Sequence, residues 1–328
     1  MPIVAKCHKL LENEILRRSS QIVSVVGDQV HIFGGELRPR EPRDNDVHAV
    51  SLGSNAISSK PTTSQSPSPR VGTAACTQNG KIYIFSGRGG IAMAPIEEQG
   101  AIWEFDPATG NWSCISPSDP SVAPTARSYH CMASDGKGTL YLHAGCPEKG
   151  RLSDLWAFSL SRRKWTELAP AFDPPRGGTS IAFAEGKLYR MNGFDGNTEQ
   201  GGNLDIYSPE TNSWASHVYS PDGKAGPSPR SVSCLLSVRL GGRSFLVTMF
   251  GEHDPSSLGH QGAGKMLSDM WAFDIESKMW EEIVGGDQLP LARGWFDADI
   301  VGANTVVVHG GLGESNDRLG DVWTIELS

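Results

Sequence analysis

The sequence lacks any long apolar run. None of its 328 residues belongs to a stretch near the ~18 consecutive apolar residues of a membrane-spanning helix, so a membrane is not an expected partner. The start, Met1-Pro2-Ile3-Val4-Ala5-Lys6-Cys7-His8-Lys9, has no apolar core of a signal peptide. Positive charge is short too: 29 lysines and arginines face 37 acidic residues, leaving a net charge of -8. A general nucleic-acid binder needs a basic footprint, which excludes nucleic acid as an expected partner but not a local positive pocket. Cysteine is sparse, and its six copies form no C-x-x-C pair, so no zinc pattern of paired Cys or His is present. Without a secretion signal, reduced and mostly buried thiols are expected, and with them a cytoplasmic or nuclear location. Long stretches of helical periodicity are missing as well.

Turn formers are plentiful, with 38 glycines and 21 prolines, and 38% hydrophobic residues suffice for a sizeable core. Such a length suits two ordinary domains or one large all-β domain. Internal repetition decides between them. An arginine precedes an apolar strand pattern at Arg18, Arg70, Arg127, Arg176, Arg230 and Arg293, at intervals between 49 and 63 residues. Two β-rich runs then follow, joined mostly by a polar or glycine turn, as in Thr77-Gln78-Asn79-Gly80-Lys81-Ile82-Tyr83-Ile84-Phe85. A third strand comes after a loop, as in Asp269-Met270-Trp271-Ala272-Phe273-Asp274, and a fourth carries Trp112, Trp165, Trp214 or Trp280. Four strands per unit near this spacing predict an all-β, six-bladed kelch-type β-propeller over residues 1–328, with blades beginning near 18, 70, 127, 176, 230 and 293. The sixth copy stops after its third strand. Residues 1–10 are therefore predicted to supply the closing strand of the last blade and remove an open edge. The recurrent tryptophans are read as blade packing, and the six arginines as residues that hydrogen-bond loop carbonyls between blades.

One loop departs from the repeat. Glu252-His253-Asp254-Pro255-Ser256-Ser257-Leu258-Gly259-His260 carries two carboxylates and two imidazoles. Oxygen and nitrogen donors of this kind suit a divalent first-row metal such as iron(II). The plainer reading is a solvated loop whose charges bond nearby backbone. Gly259 to Gly264 then fits backbone that must bend close to a ligand. The same tail mimics a phosphate loop, but Met266 stands where Ser or Thr should bind magnesium, and no strand-then-helix context exists.

On Val25-Val26-Gly27-Asp28, Phe33-Gly34-Gly35-Glu36-Leu37, Ala126-Arg127-Ser128-Tyr129-His130, Ala292-Arg293-Gly294-Trp295 and His309-Gly310-Gly311, the chain resembles the kelch-type specifier proteins of plants: epithiospecifier, nitrile-specifier and thiocyanate-forming proteins. That resemblance implies ferrous iron at a channel mouth, bound by a Glu-x-x-x-Asp-x-x-x-His motif, together with the aglycone of a sulfur-containing glucoside. Carried over, Glu252 and His260 are the first and third ligands, and Ser256 replaces the middle aspartate. Asp254 is the alternative source of that carboxylate. By the same resemblance Arg88 contacts anionic parts of a substrate, and Tyr129, Trp295 and Arg293 line the pocket. The expectation is a metal-dependent lyase or isomerase using Glu252, His260 and Arg88 on a small, anionic, sulfur-containing metabolite. A non-catalytic scaffold with a protein partner, or a metabolite-binding protein, is the alternative.

Overall fold

The computed structural model describes residues 2–61, 63, 65–259, 262–286 and 288–328. Two compact units divide the chain, Met1–Ser19 with Gly178–Ser328, and Ser20–Gly177. Each carries three sheets of the kelch type, antiparallel throughout except for a short parallel pairing of Val4 and Ala5 with Val284 and Gly285 at the edge of the last blade, and six such blades make the β-propeller class that the repeat predicts. Among the described residues no helix is long and apolar enough to cross a membrane.

The second blade of the unit 20–177 shows how sequence becomes sheet. Ala74–Gln78 and Lys81–Phe85 pair through Asn79 and Gly80, both at positive φ (51° and 72°). These are the dihedrals a two-residue hairpin demands, and Asn-Gly supplies them at little cost. Ile102–Asp106 and Asn111–Ile115 complete the sheet. Ile82 and Ile84 on one face and Tyr83 and Phe85 on the other are all buried. That continuous burial explains why this central strand reads as apolar throughout rather than alternating. Trp112 on the outer strand packs with its ring centroid 5.0 Å from those of both Phe33 and Phe105. Trp165 stands 5.6 Å from Phe85 in the same way. The fourth-strand tryptophans thus bridge blade to blade, as expected for packing residues.

In the other unit, Val4–Glu12 pairs antiparallel with Asp321–Leu327 in register from Ala5↔Leu327 to Glu12↔Asp321. The sixth blade is therefore closed by the N-terminal strand, which runs to Glu12 rather than ending at residue 10. Ile3 and Ala5 are buried in its core beside Ile325 and Leu327.

The arginines that begin the blades are structural. Arg70, Arg127, Arg230 and Arg293 are buried, and each holds a carboxylate near the start of its third strand in a two-pronged ion pair: Glu98, Asp154, Asp269 and Asp321. The remaining guanidinium donors go to carbonyls, as in Arg293 Nη1 to Gly310 at 3.0 Å and Nε to Leu291 at 3.0 Å. A tryptophan two residues past each of the three aspartates donates its indole N–H to the same carboxylate: Trp156, Trp271 and Trp323, at 2.7 to 2.8 Å. Burying a charge is tolerable only when it is paired and its other donors are met, and here both conditions hold.

Candidate functional site

The residue two after each blade-start arginine adopts a left-handed backbone: Ser20, Gly72, Tyr129, Gly178, Val232 and Trp295 have φ between 46° and 62°. For a β-branched or aromatic residue this conformation is strained, by ~1–3 kcal/mol. Packing supports it at four of the six positions, where the amide reaches the carbonyl of the equivalent residue in the preceding blade of the same unit. Gly72 N–H meets Ser20 O at 2.9 Å and Tyr129 N–H meets Gly72 O at 2.7 Å in one unit. Val232 N–H meets Gly178 O at 2.9 Å and Trp295 N–H meets Val232 O at 3.1 Å in the other. Tyr129 and Trp295, two of the residues singled out by sequence, are thus the same position of the repeat.

In the unit containing the fifth blade, Glu252 follows Gly251 and pairs backbone to backbone with Ser231, each N–H meeting the other's carbonyl at 2.9 Å. Its side chain is 5% exposed. Gly264 N–H donates to Oε1 at 2.9 Å, and the Trp295 side chain also acts on the carboxyl, favouring its charged form. A Cβ on Gly264 would lie 2.6 Å from Oε1 and 2.5 Å from the Asp254 carbonyl, so only glycine lets the backbone close on the carboxyl there. Burial pushes the Glu252 pKa up to about 7, and the charge of Glu199 adds to the rise; the Gly264 and Trp295 hydrogen bonds oppose it. Glu199, a residue the sequence reading missed, accepts a hydrogen bond from Ser231 Oγ at 3.3 Å. Burial raises its pKa too, against the opposing charge of His253.

The rest of the Glu252 loop does not converge on that carboxyl. The Asp254 side chain is 73% exposed, with Oδ1 3.4 Å from His253 Nε2. Ser256 Oγ accepts from Leu258 N–H at 3.1 Å and so caps its own turn. His253 Nδ1 donates to the Pro229 carbonyl at 2.7 Å. His260 lies outside the described residues. Among the described residues no group of three His, Cys, Asp or Glu side chains is placed to hold a metal. Arg293 needs correction: its guanidinium is fully buried and engaged with Asp321, Gly310 and Leu291, so it braces the strand that presents Trp295 and offers nothing to a ligand.

The unit 20–177 carries a positive cluster. Arg88 pairs with Pro95 in the short hairpin Arg88–Gly89/Ala94–Pro95. Nη2 reaches the Pro147 carbonyl at 3.3 Å, while Nε is buried without a hydrogen-bond partner among the described residues. The charges of Arg151 and Arg88 both act on the Cys146 thiol, whose pKa burial nonetheless raises. Arg88 also acts on Tyr129, whose hydroxyl is pushed up chiefly by burial and by Glu36. A Cβ on Gly72 would stand 2.8 Å from the Tyr129 ring, so a glycine is required where the aromatic lies flat. The charge of Arg88 is therefore felt at Tyr129, and Arg151, a residue not expected from the sequence, shares its field at Cys146. Its signal was only a lone arginine after Gly150. The six cysteines are free thiols: three buried, two half-buried and Cys114 exposed.

Comparison with known proteins agrees with this architecture. An N-(sulfonatooxy)prop-2-enimidothioate sulfolyase of Thlaspi arvense is 28% identical over 330 residues, covering 93% of this chain and 91% of the relative, which bears out the resemblance to plant specifier proteins. Tip elongation aberrant protein 3 of Schizosaccharomyces pombe is 28% identical over 185 residues, 48% of this chain and 16% of that protein. Kelch domain-containing protein 2 of Bos taurus is 27% identical over 164 residues, 49% of this chain and 38% of that protein. The chain thus spans nearly all of the sulfolyase but well under half of the other two. Residues 20–251 match the KLHDC2/KLHL20/DRC7 Kelch-repeats domain, and with six blades built on one repeat the chain belongs to the kelch-repeat family.

Proposed function

We propose that the chain is a small-molecule enzyme of the specifier type, promoting rearrangement or elimination on a small, anionic, sulfur-containing metabolite. The observation that carries this reading is Glu252: a buried carboxyl, held by a glycine amide, with a pKa pushed up to about 7. Perturbed carboxyls without a structural partner mark functional sites more often than scaffolds. The near full-length likeness to a sulfolyase supports it, and that relative's substrate carries both a thioate sulfur and an N-bound sulfate group. Arg88 and Arg151 suit such a sulfate: guanidinium forks hold oxyanions well, and the unmet Nε of Arg88 is a donor awaiting an acceptor. Each unit adds an aromatic held at a left-handed backbone, Tyr129 in the unit 20–177 and Trp295 in the unit of Glu252.

An iron(II) ion belongs to the reading through the family resemblance. Among the described residues the loop offers Glu252 alone toward such an ion, with Asp254 exposed and Ser256 Oγ engaged by Leu258 N–H. Glu252, with His260, is the residue to hold it. When bound, the ion supplies Lewis-acid or one-electron chemistry toward the sulfur- or oxygen-bearing group. The protein's own part is to orient: in one unit Gly264 N–H fixes the Glu252 carboxyl, and in the unit 20–177 Arg88 and Arg151 are the cations suited to hold a sulfate. The test is incubation with an N-sulfonatooxy imidothioate generated in place, with iron(II) and with chelator. Product formation above the spontaneous background, lost in Glu252→Gln and weakened in Arg88→Ala, is expected. Identical product profiles with and without protein would refute the reading.

A scaffold role is the second reading, and the exposed apolar side chains of Ile91, Leu258 and Leu291 favour it. Ile91→Asp then abolishes partner capture without touching iron or product.

A further inference from the structure

The outer part of the first blade, in the unit 20–177, sets a serine, a histidine and an aspartate in line. Val47–Ser51 and Ile57–Lys60 pair antiparallel, with His48 directly opposite Ser59. Ser51 N–H donates to Ala56 O at 3.0 Å, so the hydrogen-bonded pairs fall at Ser51, Ala49 and Val47. His48 and Ser59 therefore form a pair of the other kind, in which side chains stand closest. His48 Nδ1 lies 2.8 Å from the Ser59 hydroxyl, and on the far side of the ring Nε2 lies 3.5 Å from Asp44 Oδ2. The imidazole is 2% exposed, Asp44 is partly buried, and Ser59 is exposed. Both neighbours of Asp44 are anchored: Arg43 N–H donates to Gly35 O at 2.9 Å, and Asn45 Nδ2 to Pro67 O at 2.7 Å. Arg43 Nε stands 3.8 Å from the same Asp44 oxygen.

Asp44 favours the proton on Nε2, which leaves the Nδ1 lone pair for the Ser59 hydroxyl proton. That is the tautomer a general base needs, with the two ring nitrogens exchanging the parts they play in the usual serine triad. Ile57–Lys60 is the last strand of its sheet, and in a pair of this kind the Ser59 N–H points to the open edge. The nucleophile thus carries its own oxyanion donor, one of the two that a serine protease uses. We propose that Ser59 is an acylation site that takes acyl groups from activated esters, with His48 as its base and Asp44 as the positioning residue. The Ser59 oxygen bonds to the acyl carbon while its proton passes to His48 Nδ1, and the charge on the carbonyl oxygen meets the Ser59 N–H. Collapse breaks the bond to the leaving oxygen or sulfur, which takes the proton from Nδ1. Water then repeats the cycle, releasing the acid and free Ser59. Because Ser59 is exposed, little of the acyl donor is enclosed, and good leaving groups such as phenolates or thiolates are required. This activity owes nothing to Glu252 or to iron.

The experiment incubates the full chain with a fluorophosphonate, which phosphonylates an activated serine and releases fluoride, and separately with p-nitrophenyl acetate. Peptide mass spectrometry locates the adduct, and absorbance follows p-nitrophenolate. Ser58 is the internal control: it is exposed on the same strand, but its side chain points to the opposite face. Adduct at Ser59 and not at Ser58 is expected, with p-nitrophenolate release falling about a hundredfold in Ser59→Ala and in His48→Gln. Asp44→Asn is expected to slow acylation about tenfold or more at the parental Tm. Asp44→Glu is expected to restore part of the rate, a recovery that a purely structural aspartate does not give. If the buried His48 variant fails to fold, Ser59→Ala and Asp44→Asn decide the question, since neither side chain is fully buried. Equal labelling of Ser58 and Ser59, or ester cleavage unchanged in Ser59→Ala, overturns the proposal. Asp44→Asn reacting at the parental rate overturns the role given to Asp44.

Discussion

Two kinds of buried carboxyl sit in one unit of this protein, and they behave oppositely. Burial would raise the pKa of Asp269 and Asp321, yet the hydrogen bonds and charges of Arg230 and Arg293 hold both below the ordinary value. Glu252 is buried to the same degree as Asp321, each 5% exposed, but no arginine answers it, and its pKa moves up to about 7. Burial alone therefore decides nothing; the partner does. The repeat provides an arginine for each structural carboxylate and withholds one at Glu252, which is what separates scaffold from site.

The comparison is broken most severely by removing its frame. Deleting residues 1–10 strips the strand that pairs with Asp321–Leu327 and exposes the edge carrying the Arg293 partner. Loss of cooperative melting is expected in thermal denaturation, and a parental Tm would contradict the closing role. Next in size, Arg293→Met leaves Asp321 buried without its partner, with an expected cost of about 3–5 kcal/mol in urea denaturation. An unchanged midpoint would return Arg293 to the list of pocket residues.

pH sharpens the contrast. A carboxyl whose folded pKa lies above its unfolded value stabilises the fold below about pH 4.5 and loses that contribution as pH rises through about 7. Ionising Glu252 then costs on the order of 3 kcal/mol in metal-free protein. Glu252→Gln should remove that slope and make the chain more stable than the parent at pH 8, read by urea denaturation at pH 5 and pH 8 in chelator. The Asp269 and Asp321 pairs have the opposite sign: their contribution is present above the unfolded carboxylate pKa and lost as pH falls through the depressed folded values. An Arg293→Met variant should accordingly lose part of the parent's acid sensitivity. The smallest effect on stability is expected at Arg88→Ala, within about 0.5 kcal/mol of the parent, with weaker binding of a sulfate-ester probe. A large fall in Tm would make Arg88 structural.

Much of this was legible in the chain. The six arginines and the glycine-closed strands give the blades, and the truncated sixth copy points to the N-terminal strand. The pairing of Arg293 could also be read: Asp154-Leu155-Trp156, Asp269-Met270-Trp271 and Asp321-Val322-Trp323 repeat one motif, and a residue shared by the repeat belongs to the scaffold. Trp295 and Tyr129 were both named through the family resemblance, but their equivalence emerges only from the shared left-handed backbone two residues after an arginine. Glu199 was invisible because its link to the Glu252 neighbourhood runs through the Ser231 hydroxyl of another blade, and spacing along one loop carries no information about such a partner. Asp254 and Ser256 misled for the converse reason: nearness in sequence to Glu252 does not turn a side chain inward when Asp254 sits at a left-handed turn with φ 55°.

The most direct measurement is elemental analysis of the parent and Glu252→Gln, both loaded with iron(II) without oxygen and desalted. The account predicts about one iron per chain in the parent and a loss of at least tenfold in affinity in the variant, with Glu252→Gln melting no lower than the parent when metal-free. Equal iron in both proteins would contradict it, and so would none in either.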